Sequence, residues 1–242
     1  MKKWRNKVEN LTEQFEQNPQ QLISRNPLFR NNLIPVRPLA KNLLLLKREK
    51  FNINLMHQDI INIQKENTWI NKGYNEWHSI TLKSKDGTDQ NFLKETFLGI
   101  GPENNYIYTD CIKHCPYLKQ ILDNFGTDVY LVRLLKLTAN TKIKYHTDET
   151  VFKNRKNIIR CHIPIITHPS VSFKIGYPLN APAPSFNIWN ASTLYERHLE
   201  AGYIWYTNVN CLHSVDNQSP LDRIHLVIDI RPTPEMLQQI YN

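Results

Sequence analysis

The sequence predicts a mainly β domain with flanking helices, closed as a barrel or a double-sheet jelly roll. Three observations point there. After residue 128, six strand-like runs follow one another, separated by turn-rich segments and with no long helix. Two of those runs, 158–166 and 223–230, alternate an apolar face with a face that carries charge. Only 7 glycines occur in 242 residues, with no glycine-rich phosphate loop, which disfavours a nucleotide-binding parallel-sheet fold.

Taken in order, residues 4–17 place Trp4, Val8, Leu11 and Phe15 on one face of a short amphipathic helix that Asn18-Pro19 ends. Pro27, Pro35 and Pro38 punctuate the irregular stretch that follows. Residues 1–48 read as an N-terminal extension that either packs on the main domain or covers its mouth, or else as a partly ordered tail, and 49–242 as the main domain. Leu55–Glu66 has a helical pattern. Trp77–Lys83 alternates like a strand and meets a turn at Asp86-Gly87, and Pro116–Asn124 reads as a second short helix. The strands then fall at 129–137, 142–147, 158–166, 171–175, 202–207 and 223–230. Pro178, Pro182 and Pro184 make 176–200 a stiff loop placed to shape substrate access.

Apolar residues at 40% are enough for a real core. The net charge of +8 suits an acidic small molecule or an acidic carrier protein. The lysines and arginines are scattered, without the tract or motif of a nucleic-acid binder. The run Leu43–Leu46 is far too short to cross a membrane. Four cysteines and a polar opening, Met1-Lys2-Lys3-Trp4, lead us to expect a reduced cytoplasmic protein. Cys111, His114 and Cys115 are either half of a zinc site or ordinary buried thiols and a neighbour; nothing supplies the second half.

The chemistry concentrates in Tyr145-His146-Thr147-Asp148-Glu149 and in His213. Residues i and i+2 of an extended segment share a face, so His146 and Asp148 point together. With a distant histidine they have the composition of the 2-His-1-carboxylate triad that binds iron(II) on one face and leaves the other open. By itself the pair is also what a surface His-Asp pair looks like. Arg223 lies on the charged face of its strand with His225, Val227 and Asp229, opposite Ile224, Leu226 and Ile228. Arg160 and His162 share the polar face of theirs, opposite Ile159, Cys161, Ile163 and Ile165. Such groups either clamp carboxylates in a pocket or form solvated strand faces. Arg133, alone in the apolar run Tyr130–Leu135, needs a partner, which is either a substrate carboxylate or a structural ion pair. Tyr145, Trp189, Trp205 and Tyr206 are candidate pocket walls, although core packing accounts for most such aromatics; Trp205 is taken as a candidate substrate contact.

The succession of His146-x-Asp148, Arg160-x-His162, Gly202 to Asn208, His213, and Arg223 leading an apolar strand to Asp229 resembles the aspartyl/asparaginyl β-hydroxylase family. The likeness is clear over about 130–232, weaker over 50–129 and absent in 1–48. It implies a mainly β fold with flanking helices, a double-stranded β-helix of the jelly-roll, cupin-like kind over 49–242, and a dioxygenase that uses Fe(II), 2-oxoglutarate and O2. It implies His146, Asp148 and His213 as metal ligands and Arg223 as the partner of the distal 2-oxoglutarate carboxylate. Arg160 and His162 would line the same pocket, toward the other carboxylate or an acidic substrate group. Asp148 stands where the animal protein-hydroxylating members carry glycine. That weakens transfer of their substrate and argues against halogenation.

The leading expectation is hydroxylation of an unactivated C–H bond in an amino acid, peptide or amino-acid-derived metabolite. A second is a tailoring oxygenase whose substrate rides on an acidic carrier protein. A third is a non-catalytic jelly-roll protein that binds a metal or ligand.

Overall fold

The computed structural model describes residues 43–47, 49–71, 77–88, 106–146, 148, 158–176, 195–209 and 211–241. The helix expected at 4–17, Trp189 and most of the 176–200 loop lie outside them. In chain order the elements are β1 (Leu43–Lys47), α1 (Ile53–Glu66), β2 (Ile70–Asn71), β3 (Trp77–Ser84) and β4 (Ile107–Tyr108). A 3-10 turn (Asp110–His114) and α2 (Pro116–Asp123) follow, then β5 (Val129–Leu137), β6 (Thr141–His146), β7 (Ile159–Ile166) and β8 (Val171–Ile175). The chain closes with β9 (Tyr195–Arg197), β10 (Ile204–Thr207), β11 (His213–Asn217), β12 (Arg223–Ile230) and α3 (Pro234–Tyr241).

Two antiparallel sheets form the jelly roll. The large one runs β1-β10-β7-β12-β5-β3-β2, with β4 on β3, and the small one runs β6-β11-β8-β9. Alternation assigns each face of the large sheet. Ile159, Cys161, Ile163 and Ile165 of β7 and Ile224, Leu226, Ile228 and Ile230 of β12 are buried in one core. The helices cover that core, with Met56, Ile60 and Ile63 of α1 and Leu118, Ile121 and Leu122 of α2 packed into it. On the opposite face a second core joins the sheets, through Leu137 and Trp205 of the large one and Val171, Phe173, Ile175 and Val215 of the small one.

Local chemistry explains the helix boundaries. The Asn52 side chain caps α1 by accepting from the Leu55 N–H at 3.2 Å. Pro116 opens α2, where its missing N–H costs nothing. The next free donor of α2, the Leu118 N–H, is satisfied from another helix: buried Asp59 of α1 accepts from it at 2.7 Å. Burial pushes the Asp59 carboxyl up, and the bonds from the Leu118 and Tyr117 N–H groups only partly offset it. Before β10 the chain turns at Gly202, whose φ of 85° favours glycine and whose N–H donates to the Pro164 carbonyl at 2.9 Å.

Several elements depart from expectation. Leu43–Lys47, placed in the extension, is a strand paired with β10, so the sheet begins inside that segment. An LLLLK run has no alternation to signal a strand, and its status comes from the edge it covers. β11 is also a strand, although HSVDN has no apolar alternation; pairing with β6 and β8 on both sides makes it one. Tyr195–Arg197, in the proline-punctuated segment, adds β9 to the outer edge of β8.

Candidate active site

The site lies between the sheets, where β6 and β11 run side by side. His146 ends β6 and His213 begins β11, and the two are direct cross-strand partners. Their rings lie 4.2 Å apart, centre to centre. Asp148 follows two residues after His146 and is tied to the β10–β11 connection by its N–H, which donates to the Val209 carbonyl at 2.9 Å. Ligand atoms of His146, Asp148 and His213 all lie within 4.8 Å of one another, the one such group found among the described residues.

The tautomers fit a metal. His146 Nδ1 lies 2.8 Å from the Lys144 carbonyl and His213 Nδ1 lies 2.9 Å from the Cys211 carbonyl. A carbonyl oxygen only accepts, so each Nδ1 carries the proton and each Nε2 keeps its lone pair. Burial, with the His146 ring adding to it, pulls His213 down to about 4, which keeps it a neutral donor at ordinary pH. Phe173 stacks on His213 at 5.8 Å with an interplanar angle of 8° and holds the ring from behind. Asp148 divides its oxygens: Oδ2 accepts from Arg160 Nη1, and Oδ1 lies 3.7 Å from His146 Nε2. Burial works to raise that carboxyl, yet Arg160 and then the two imidazoles hold it below the usual carboxylate range. Two imidazoles and one carboxylate on one side of a pocket form a donor set suited to iron(II).

The pocket beside the triad is walled by Trp77, Leu135, Ile143, Phe173, Val209, Val215 and Val227, with Arg160, His162 and Arg223 also facing it. The polar strand faces are therefore not solvated: Arg160, His162 and Arg223 are 6%, 5% and 2% exposed. The two arginines differ in their neutralisation. Arg160 donates through Nε and Nη2 to both oxygens of its cross-strand partner Asp229, at 2.7 and 2.9 Å, and through Nη1 to Asp148. Two protein carboxylates thus engage it where it faces the pocket. Arg223 has no carboxylate partner among the described residues. Its Nη2 donates to His225 Nδ1 at 2.7 Å, while its Nε has no partner. Burial pulls its guanidinium down to about 9. Both ring nitrogens of His162 are likewise without a hydrogen bond. Burial, then the charges of Arg223 and Arg160, hold His162 well below the ordinary histidine value.

Three expected residues fall elsewhere. Trp205 does not line the pocket; it is packed in the core between the sheets, with its indole N–H donating to the Glu200 carbonyl at 3.3 Å and Arg197 over its ring. Tyr206 packs in the core beneath the helices. Arg133 is 3% exposed on β5, across from Thr81 and Val227, and its charge acts on both Asp148 and His162, but it is not a lining residue. Cys111 and Cys115 belong to no metal-ligand group among the described residues; their thiols donate to the Asn67 amide oxygen at 3.1 Å and the Asp59 carbonyl at 3.8 Å. Sequence reasoning missed Phe173, Trp77 and the partnerships of Asp229 and His225. Asp229 and His225 share the charged face of β12 with Arg223, but which residue each one meets follows only from strand register and side-chain direction.

A jelly roll with a His-Asp-His site at its mouth and a buried cationic pocket beside it defines a metal-dependent oxygenase. The chain belongs to the aspartyl/asparaginyl β-hydroxylase family, whose sequence model matches residues 42–232. It is a dioxygenase of that family, and its His-Asp-His donor set and Arg223, which no described carboxylate engages, fit iron(II) as cofactor and 2-oxoglutarate as cosubstrate. Solved structures share the fold. An oxidoreductase of the 2OG-Fe(II) oxygenase family from Burkholderia pseudomallei matches with a TM-score of 0.50 at 12% identity, over 78% of this chain and 84% of that one. The non-heme alpha-ketoglutarate-dependent carbocyclase SnoK from nogalamycin biosynthesis matches with a TM-score of 0.50 at 12% identity, over 79% and 80%. No described helix is long and apolar enough to cross a membrane.

Proposed function

We propose that the protein hydroxylates an unactivated C–H bond of an amino acid, a peptide or an amino-acid-derived metabolite, with His146, Asp148 and His213 holding the metal. The observation that carries this reading is Arg223, a buried guanidinium with no carboxylate partner among the described residues, on the same pocket as the His-Asp-His donor set. A buried charge without a counter-ion is costly, and an anionic ligand relieves that cost. Iron(II) with 2-oxoglutarate and O2 supplies the oxidising power for the hydroxylation, leaving succinate and carbon dioxide.

The chain's own residues bind, orient and exclude water. Arg223 takes the distal carboxylate of 2-oxoglutarate, and His162 offers a neutral imidazole to the same ligand from the neighbouring strand. Arg160 holds Asp148 in its orientation rather than binding the cosubstrate. The Lys144 and Cys211 carbonyls fix the two imidazoles so that Nε2 faces the metal. The apolar wall of Leu135, Val215 and Val227 keeps water from the reacting carbon. The buried free thiols suit a reducing, cytoplasmic setting. A succinate-release screen over free amino acids, short peptides and carrier-bound acids tests the reading: His146→Ala should abolish release, and equal release from that variant would overturn it.

A further inference from the structure

The partner that Arg223 does have is unusual. A buried arginine is ordinarily met by a carboxylate, as Arg160 is by Asp229 and Asp148. Arg223 instead meets an imidazole two residues along its own strand, with its Nη2 2.7 Å from His225 Nδ1. A guanidinium only donates, so His225 Nδ1 is the acceptor and its ring proton sits on Nε2. His225 is 1% exposed, and its Cα partners across the sheet are the apolar residues Leu135 and Pro164. Burial, followed by the nearby charge of Arg223, holds its pKa well below the ordinary value, so it is uncharged.

We propose that His225 is the positioning residue of the carboxylate pocket: a neutral acceptor that fixes the Arg223 guanidinium in place without cancelling its charge. This rests on the reading of Arg223 given above and deepens it. An aspartate in this place would aim the guanidinium equally well but would neutralise it and compete with the ligand. An apolar residue would leave the charge intact but unaimed. The imidazole does the first task without the cost of the second, and the full positive charge stays available to the cosubstrate.

The test is calorimetric titration of 2-oxoglutarate into the iron(II)-loaded protein under anaerobic conditions, which needs no turnover. His225→Phe should weaken binding about tenfold or more, the scale of one hydrogen bond to a charged group. His225→Asn, which offers a neutral oxygen near the Nδ1 position, should stay within about threefold of the parent. His225→Asp should bind more weakly than either, because it builds the ion pair the natural residue avoids. Equal binding by the Asn and Asp variants overturns the proposal, as does parental affinity in His225→Phe. The Asn and Asp variants are isosteric, so their comparison decides the matter even where Phe does not fold. Arg223→Gln separates the two levels: if it retains affinity, the assigned role of Arg223 fails and the role of His225 with it; if it loses affinity while His225→Phe keeps it, only the His225 proposal fails.

Discussion

Arg160 and Asp229 form a bidentate pair across β7 and β12, Nε to Oδ1 at 2.7 Å and Nη2 to Oδ2 at 2.9 Å, and the guanidinium's third edge holds the metal-site carboxylate Asp148. Asp229 is fully buried and lies at the end of the strand that Arg223 begins. The ion pair therefore links the centre of the large sheet to the ligand that leaves β6. It gives Asp148 a fixed orientation before any ion binds, with Oδ1 on the histidine side.

Disturbing that linkage should show first in metal binding. Arg160→Lys keeps the charge but cannot make the two parallel bonds to Asp229, and iron(II) affinity should fall about 10–100-fold, the usual effect of losing a partner behind a metal ligand. Competition against a chelator of known affinity reads this directly. Asp229→Ala goes further by leaving a buried guanidinium half-paired, and should lose about 3–5 kcal/mol of stability in a urea titration.

Arg223 predicts the opposite trade. Arg223→Met removes a buried charge that no described carboxylate neutralises, so the metal-free protein should be as stable as the parent or more so. The same variant should lose the rise in Tm that 2-oxoglutarate gives the parent. Thermal melts with and without 2-oxoglutarate check both halves; a destabilised variant that still responds to the ligand would contradict the assignment.

Much of this was legible in the chain and some was not, for physical reasons. β5, β8 and β12 fall at their expected bounds because apolar side chains recur every second residue or fill a buried strand throughout. The same alternation put Arg160, His162 and Arg223 on faces opposite the isoleucines, which is where they are. Alternation cannot say whether a polar face meets water or a second sheet. Nor could it reveal that Arg160 is engaged by Asp229, since the two lie 69 positions apart and are brought together only by register. Nor does an aromatic residue type distinguish a pocket wall from core packing: Trp205 lies in the inter-sheet core, engaged by Arg197 and the Glu200 carbonyl.

Buried neutral histidines set the acid limit of stability. His162 and His225 both have folded pKa values well below 6.5. In the unfolded chain they take up protons as pH falls past about 6.5, while the folded protein does not, so their contribution is complete above that pH and is lost below it. Each should cost up to about 1.4 kcal/mol per pH unit on the way down. Urea midpoints measured from pH 7.5 to pH 5 should fall, and the slope should be smaller in His225→Asn. A level profile would mean these rings are charged when folded.

A control far from the site concerns Asp59. Asp59→Ala removes the acceptor for the Leu118 N–H at the buried start of α2 and should cost about 1–3 kcal/mol without changing 2-oxoglutarate affinity. Urea denaturation and calorimetry on one preparation give both values.

The most direct measurement of the central assignment is the visible spectrum of the protein with iron(II) and 2-oxoglutarate in the absence of air. A weak charge-transfer band should appear when both are present. It should vanish in His146→Ala and require much more 2-oxoglutarate in Arg223→Met. No band at saturating iron(II) and 2-oxoglutarate, or a band that survives intact in His146→Ala, would contradict the placement of the metal on His146, Asp148 and His213.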